Sequence, residues 1–118
     1  MDKSNEFLTF IRTIYNAIED KKGERTVILD ISEISLMTDC FIITNGNNVN
    51  QVRAIADNIE EELQKQNINI PHKTEGYRNG SWILMDFGNV ICHIFNKEER
   101  TFYDLERVWR DGKILEKP

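Results

Sequence analysis

Cys40-Phe41-Ile42-Ile43-Thr44 lacks the polar alternation of a half-exposed strand, and Asn45-Gly46-Asn47-Asn48 follows it at once. Apolar side chains at both parities of a strand need cover on both faces. The chain must therefore fold around a central strand with other layers packed over it. After the Asn-rich turn, Val52, Ile55, Ala56, Ile59 and Leu63 recur at helical spacing, with Asp57, Glu60, Glu61 and Glu62 on the opposite side. Asn48 or Asn50 supplies the N-cap of this helix, and Asn67 and Pro71 end it.

Upstream, Phe7, Phe10, Ile11, Ile14 and Ile18 mark a first helix with Ser4 as N-cap. Lys21-Lys22-Gly23 stops it: the cations meet the negative helix end, and glycine tolerates a left-handed cap. Thr26 to Asp30 reads as a strand, and residues 31–39 as a loop or a single helical turn. Beyond the long helix, Ile68 to Glu75 is extended and Gly76 to Ser81 is turn-rich. Strands Trp82 to Phe87 and Val90 to Phe95 are joined by Gly88-Asn89, whose glycine supplies the positive φ of a type II′ hairpin turn. A helix from Thr101 to Trp109 and a polar tail over 111–118 complete the chain. This order predicts an α/β (α+β) fold in which helices pack on a mixed sheet, within a single domain of 118 residues.

Lys and Arg total 15 against 20 Asp and Glu, a net charge of −5. That balance speaks against direct nucleic-acid binding, which needs a basic face, and suits a basic partner. No apolar run approaches the ~20 residues of a membrane span. Met1 to Glu6 shows no export or organelle signal, so the expected compartment is a reducing cytoplasm. Cys40 and Cys92 lie inside apolar stretches and read as core residues. With His72 and His93 the only histidines, no zinc-site spacing is present, and no metal or cofactor is expected.

Chemistry has few footholds. The Gly46 turn sits between strand and helix, where a phosphate could bind, yet it has neither a Walker lysine nor G-x-G-x-x-G. Metal-dependent nucleotidyl transfer needs paired strand carboxylates, and Asp86 has Leu84 in the position of the second one. His93 alternates with Ile91 and Phe95 on one strand face, with no nucleophile beside it in sequence. Glu60-Glu61-Glu62 reads as a solvated face or as a surface for a basic partner. Tyr77, Trp82, Phe102, Tyr103 and Trp109 divide between core and interface anchors. The residues alone describe an acidic α/β binding module without catalytic residues.

Five segments carry a resemblance: Thr38 to Asn47, Gln51 to Asp57, Glu75-Gly76, Trp82 to Phe95 and Glu99 to Trp109. In order and spacing this pattern, covering residues 5–110, resembles the ribosomal silencing factor (Iojap-like) family. Cys40 stands where tyrosine is more usual, and the tail after Trp109 lies outside the recognisable pattern. The resemblance implies a nucleotidyltransferase-like fold without catalytic carboxylates. It also implies a bacterial cytoplasmic protein that docks on ribosomal protein uL14 of the large subunit, blocks joining of the small subunit and represses translation under nutrient limitation. It leaves homodimer formation open. Within the matching segments, Glu75, Trp82, His93, Tyr103 and Trp109 are the expected partner-binding residues, with Tyr103 and Trp109 alternatively pinning the last helix to the sheet. Two rival functions are a nucleotide-binding or nucleotidyltransferase-related enzyme at the Gly46 turn and a self-associating module.

Overall fold

The computed structural model describes residues 4–115. In chain order these form α1 (Asn5–Asp20), β1 (Glu24–Asp30), β2 (Cys40–Gly46), α2 (Val49–Lys65), β3 (Lys73–Glu75), β4 (Trp82–Asp86), β5 (Val90–Asn96), α3 (Lys97–Tyr103), α4 (Leu105–Val108) and β6 (Lys113–Leu115). The strands make one sheet in the order β3-β4-β5-β2-β1-β6. Only β2 and β5 run parallel; the other neighbours are antiparallel. Every residue of β2 is buried, as its unalternating sequence demands. The expected mixed sheet with packed helices is the fold observed.

The two sheet faces are covered unequally. On one, Ile28, Ile42, Ile83, Met85, Cys92 and Ile94 pack against α1 and α2 through Ile14, Ile18, Ile55 and Ile59. On the other, Leu29, Ile31, Phe41, Ile43 and Phe95 form a smaller core, reached by Trp82, Ile91, Leu105 and Trp109. Because α3 and α4 are short, this second layer leaves part of its face open.

Local signals account for most element ends. Ser4 Oγ accepts from Phe7 N–H at 3.2 Å and Asn48 Oδ1 from Gln51 N–H at 2.9 Å, which caps α1 and α2. At the end of α1 the left-handed residue is Lys22 (φ 62), not Gly23 as expected. Gly23 N–H donates to Ile18 O and Lys22 N–H to Glu19 O, the two bonds of a Schellman cap. Gly23 is still required, because a Cβ there would strike the Ile18 side chain. Asn67 (φ 58) closes α2 in the same way. Gly88 has φ 90 while Asn89 keeps a negative φ, as the type II′ turn requires.

The C-terminal expectations need correction. Asp104 (φ 47) breaks the helix expected over Thr101 to Trp109 into α3 and α4. Of the expected polar tail, residues 113–115 form β6, paired with Ile28 to Asp30 of β1, and 116–118 lie outside the described residues.

Arg100 explains the break. Its side chain is buried, and it donates to Glu24 O (3.0 Å), Asn45 Oδ1 (2.9 Å) and the Glu106 carboxylate (2.8 and 3.4 Å). One guanidinium thus joins β1, β2, α3 and α4. A buried charge that loses its partner is costly. Replacing the guanidinium orphans Asn45 and Glu106, although Glu106 still reaches water. Arg100→Met should lower unfolding free energy by about 2–3 kcal/mol, read from urea midpoints. Lys65→Ala removes only exposed ion pairs with Glu61 and Glu62 and should leave the midpoint in place.

Candidate docking face

Side chains two apart on a strand share a face, and cross-strand partners in antiparallel pairs share it too. Register pairs Trp82 with Phe95, Leu84 with His93 and Asp86 with Ile91, all on the side away from α1 and α2. β3 extends this face by setting Glu75 opposite Leu84 and Lys73 opposite Asp86. α3 and α4 cover the β5-β2-β1 side, where Tyr103 lies against Trp82 and Phe95, and Trp109 stands edge-on to Phe41. Over β3 and β4 the face stays open: Trp82, Leu84, Asp86 and Ile91 are half-buried, and Lys73 and Glu75 are exposed.

His93 is the polar centre of this layer. Trp82 Nε1–H donates to His93 Nδ1 at 3.1 Å, and the Trp82 ring stacks on Phe95 with centroids 4.9 Å apart. Phe41 meets the imidazole edge to face at 4.6 Å. With Nδ1 accepting, the neutral ring carries its proton on Nε2. That Nε2 is buried and has no hydrogen-bond partner among the described residues. Burial pushes the His93 pKa down to about 4, so the ring stays neutral and keeps holding the indole at ordinary pH.

The five expected binding residues therefore occupy one face but differ in access. Trp82, His93 and Tyr103 form one aromatic group, joined through Phe41 to Trp109. Glu75 stands apart on the β3 edge, brought close in backbone because Gly76 (φ 82) passes against the Trp82 carbonyl, where a Cβ would collide. Tyr103 is 44% exposed and His93 only 5%, so the imidazole supports the surface from beneath. Leu84, Asp86 and Ile91 belong to the same open face. Their signal in the sequence was the period-two alternation with Trp82 and His93.

The alternative site at the Gly46 turn is filled by the chain itself. Gln51 Oε1 accepts from Asn47 N–H at 2.7 Å, and its Nε2 donates to Lys21 O and Lys22 O. With Asn48 capping Gln51 N–H, side chains occupy the place a phosphate would take. Among the described residues no group of His, Cys, Asp and Glu is placed to hold a metal ion. Cys40 and Cys92 are buried, and burial raises both thiol pKa values, that of Cys40 to about 12. No helix among the described residues is long and apolar enough to cross a membrane.

A family model described as "Ribosomal silencing factor during starvation" matches residues 4–118. The chain belongs to the ribosomal silencing factor family. It is 44% identical to the ribosomal silencing factor of Halalkalibacterium halodurans over 101 residues, 86% of each chain. Identity to the Bacillus subtilis ribosomal silencing factor is 39%, covering 85% of this chain and 84% of that one. The chloroplastic Iojap protein of Zea mays is 28% identical over 99% of this chain and 50% of its own length. Among solved structures, a Bacillus halodurans protein superposes with TM-score 0.79 at 38% identity, covering 92% of this chain and 98% of that one. A Chromobacterium violaceum protein gives 0.81 at 28% identity over 87% and 85%. The family name carries a role in regulating translation, regulatory rather than catalytic.

His93 makes the fold sensitive to acid in a defined window. Below the usual histidine pKa of ~6.5 the unfolded chain binds a proton that the folded state refuses until about pH 4. The contribution of His93 is thus complete above that upper value and is lost as pH falls through the window, by roughly 2–3 kcal/mol at its lower end. His93→Asn keeps an acceptor near Nδ1 but cannot titrate. Urea midpoints at about pH 7.5 and 4.5 should show a smaller acid loss in the variant than in the parent by that amount.

Proposed function

We propose that the open half-sheet docks on the large ribosomal subunit through ribosomal protein uL14 and, by occupying that surface, keeps the small subunit from joining. The observation that carries this is the set of half-buried apolar side chains Trp82, Leu84 and Ile91 on one open face, with Glu75 beside Leu84 and Asp86 beside Ile91, on a chain of net charge −5. Apolar anchors beside Glu75 and Asp86, with Lys73 the one cation of the β3-β4 rim, on an acidic chain suit a basic protein surface better than phosphate. No bond is made or broken. Stable docking needs about 1,200–2,000 Å² of total buried surface, which the half-sheet and the adjoining Tyr103 help to supply. Glu75, Trp82 and Tyr103 touch the partner in this reading, while His93 fixes the Trp82 indole and Trp109 pins the C-terminal helices. The protein acts in the cytoplasm, where subunits join.

A sucrose-gradient assay with purified large and small subunits at fixed magnesium tests the reading. The protein should travel with large subunits and lower the joined-ribosome peak. Remaining at the top of the gradient with joining unaffected would sink it. Trp82→Ala removes the central anchor and should weaken large-subunit binding roughly 30-fold, the effect of about 2 kcal/mol at an interface hot spot. Circular dichroism and urea unfolding of the same variant establish that the fold survives. Glu75→Lys should slow association and flatten its salt dependence, since a rim charge acts mainly on the encounter rate.

A further inference from the structure

The excursion between β1 and β2 leaves the sheet and returns to it within residues 31–39. Ile31 N–H donates to Asp39 O, closing its base, and Ser35 N–H donates to Ile31 O at 2.8 Å. At its tip Leu36 is fully exposed and Met37 86% exposed, with Ile34 half in water beside them. Val108 and Ile114 are also exposed, but singly; Leu36 and Met37 stand side by side in solvent with Ile34 next to them, and an adjacent set of this kind calls for an occupant.

Position within the fold narrows what that occupant is. β2 and β5 are parallel, with Cys40 opposite Val90, so the excursion and the Gly88-Asn89 hairpin tip lie beyond the same end of the sheet. Asp39 N–H donates to Asn89 O at 3.2 Å, which fixes the two together. Between them is an open recess of about 280 Å³ lined by residues 35–39, Gly88 and Asn89. Thr38 lines it, and its buried Oγ1 has no hydrogen-bond partner among the described residues. Asp86 and Ile91, at this same end, belong to the open docking face. Charge at this end is mostly negative: Asp30, Glu33, Asp39 and Asp86 against Lys73, opposite Asp86, and Lys113, which pairs with Glu33 at 3.5 Å. Such a surround disfavours an anionic lipid surface or RNA and favours a basic protein.

We infer that Leu36, Met37 and the recess beneath them are a second apolar anchor of the docking surface, seated on the same basic ribosomal-protein surface as the open half-sheet. The inference rests on the docking reading above and extends the contact past the hairpin tip. Two anchors at separate points fix orientation as well as position, so the bound protein would always present the same side to the incoming small subunit.

The experiment uses the full chain and purified large subunits. Leu36→Asp/Met37→Asp should weaken large-subunit binding about tenfold or more, with an unchanged urea midpoint because both side chains are solvent-facing in the free protein. Leu36→Met/Met37→Leu, which preserves apolar volume, should bind like the parent. A photoreactive group at position 37 should crosslink to a ribosomal protein. Parent-like binding by the Asp pair, while Trp82→Ala binds weakly, overturns the second anchor and leaves the half-sheet reading standing. If Trp82→Ala also binds like the parent, the docking reading itself fails. Crosslinking only to rRNA overturns the inference. So does sedimentation showing that the Asp pair dissociates a homodimer without altering large-subunit binding, since the surface then belongs to a second copy.

Discussion

A guanidinium sealed from water must find acceptors for its donors, and Arg100, on α3, finds them on three other elements. The rest of the C-terminal layer follows from that requirement. In an unbroken helix, residue 106 would lie about 240° around the axis from residue 100, pointing away from it. The left-handed turn at Asp104 reverses this and brings Glu106 back to the guanidinium. The same turn sends the chain on so that Trp109 lands on Phe41, and Tyr103, one turn beyond Arg100, lies over Trp82. One buried charge therefore sets where the second layer ends and how much of the sheet stays open.

The helix-covered face is sealed by aliphatic packing, which is nondirectional and tolerant of small adjustments. The opposite face relies on aromatic rings and on directed hydrogen bonds, those of Arg100 and the one between Trp82 and His93. Between Phe41, Phe95 and Trp82, a neutral imidazole takes the indole proton and removes the main polar cost of half-burying a tryptophan. The large ring is held in one orientation by Phe95, His93 and Tyr103 while part of it still reaches solvent. In the proposed docking, preorganisation of this kind lowers the entropy lost, because the ring is already ordered before a partner arrives. The depressed pKa of His93 keeps the arrangement intact across ordinary pH.

What the chain declares locally was legible. Both long helices, their Ser4 and Asn48 caps, the central strand and the Gly88 hairpin rest on signals contained within a few residues, and the structure shows each of them. Nonlocal facts were not. The parallel pairing of β2 with β5 joins residues about 50 apart, and no pattern within either strand specifies it. Three residues are too few to display alternation, so β6 resembled a tail. Asp104 is an ordinary residue in a helical pattern, and its reversal becomes intelligible only once Arg100 is seen to need Glu106. The site divided along the same line. The aromatic character of Trp82 and Tyr103 was legible and the structure brings the two rings together, whereas the burial of His93 and the openness of Leu84 and Ile91 depend on how far a broken helix reaches.

The margins of the sheet have a consequence for the behaviour of the protein at high concentration. β3 and β6 are three residues each, and both begin with a lysine. Where β1 runs on beyond β6, the register slips between Glu24 and Val27 around left-handed Arg25. A neighbouring chain adding a strand at either margin would gain few ladder bonds and meet charge or a kink. Fibrous growth through the backbone is thereby discouraged, even though an aromatic face stays partly open beside it.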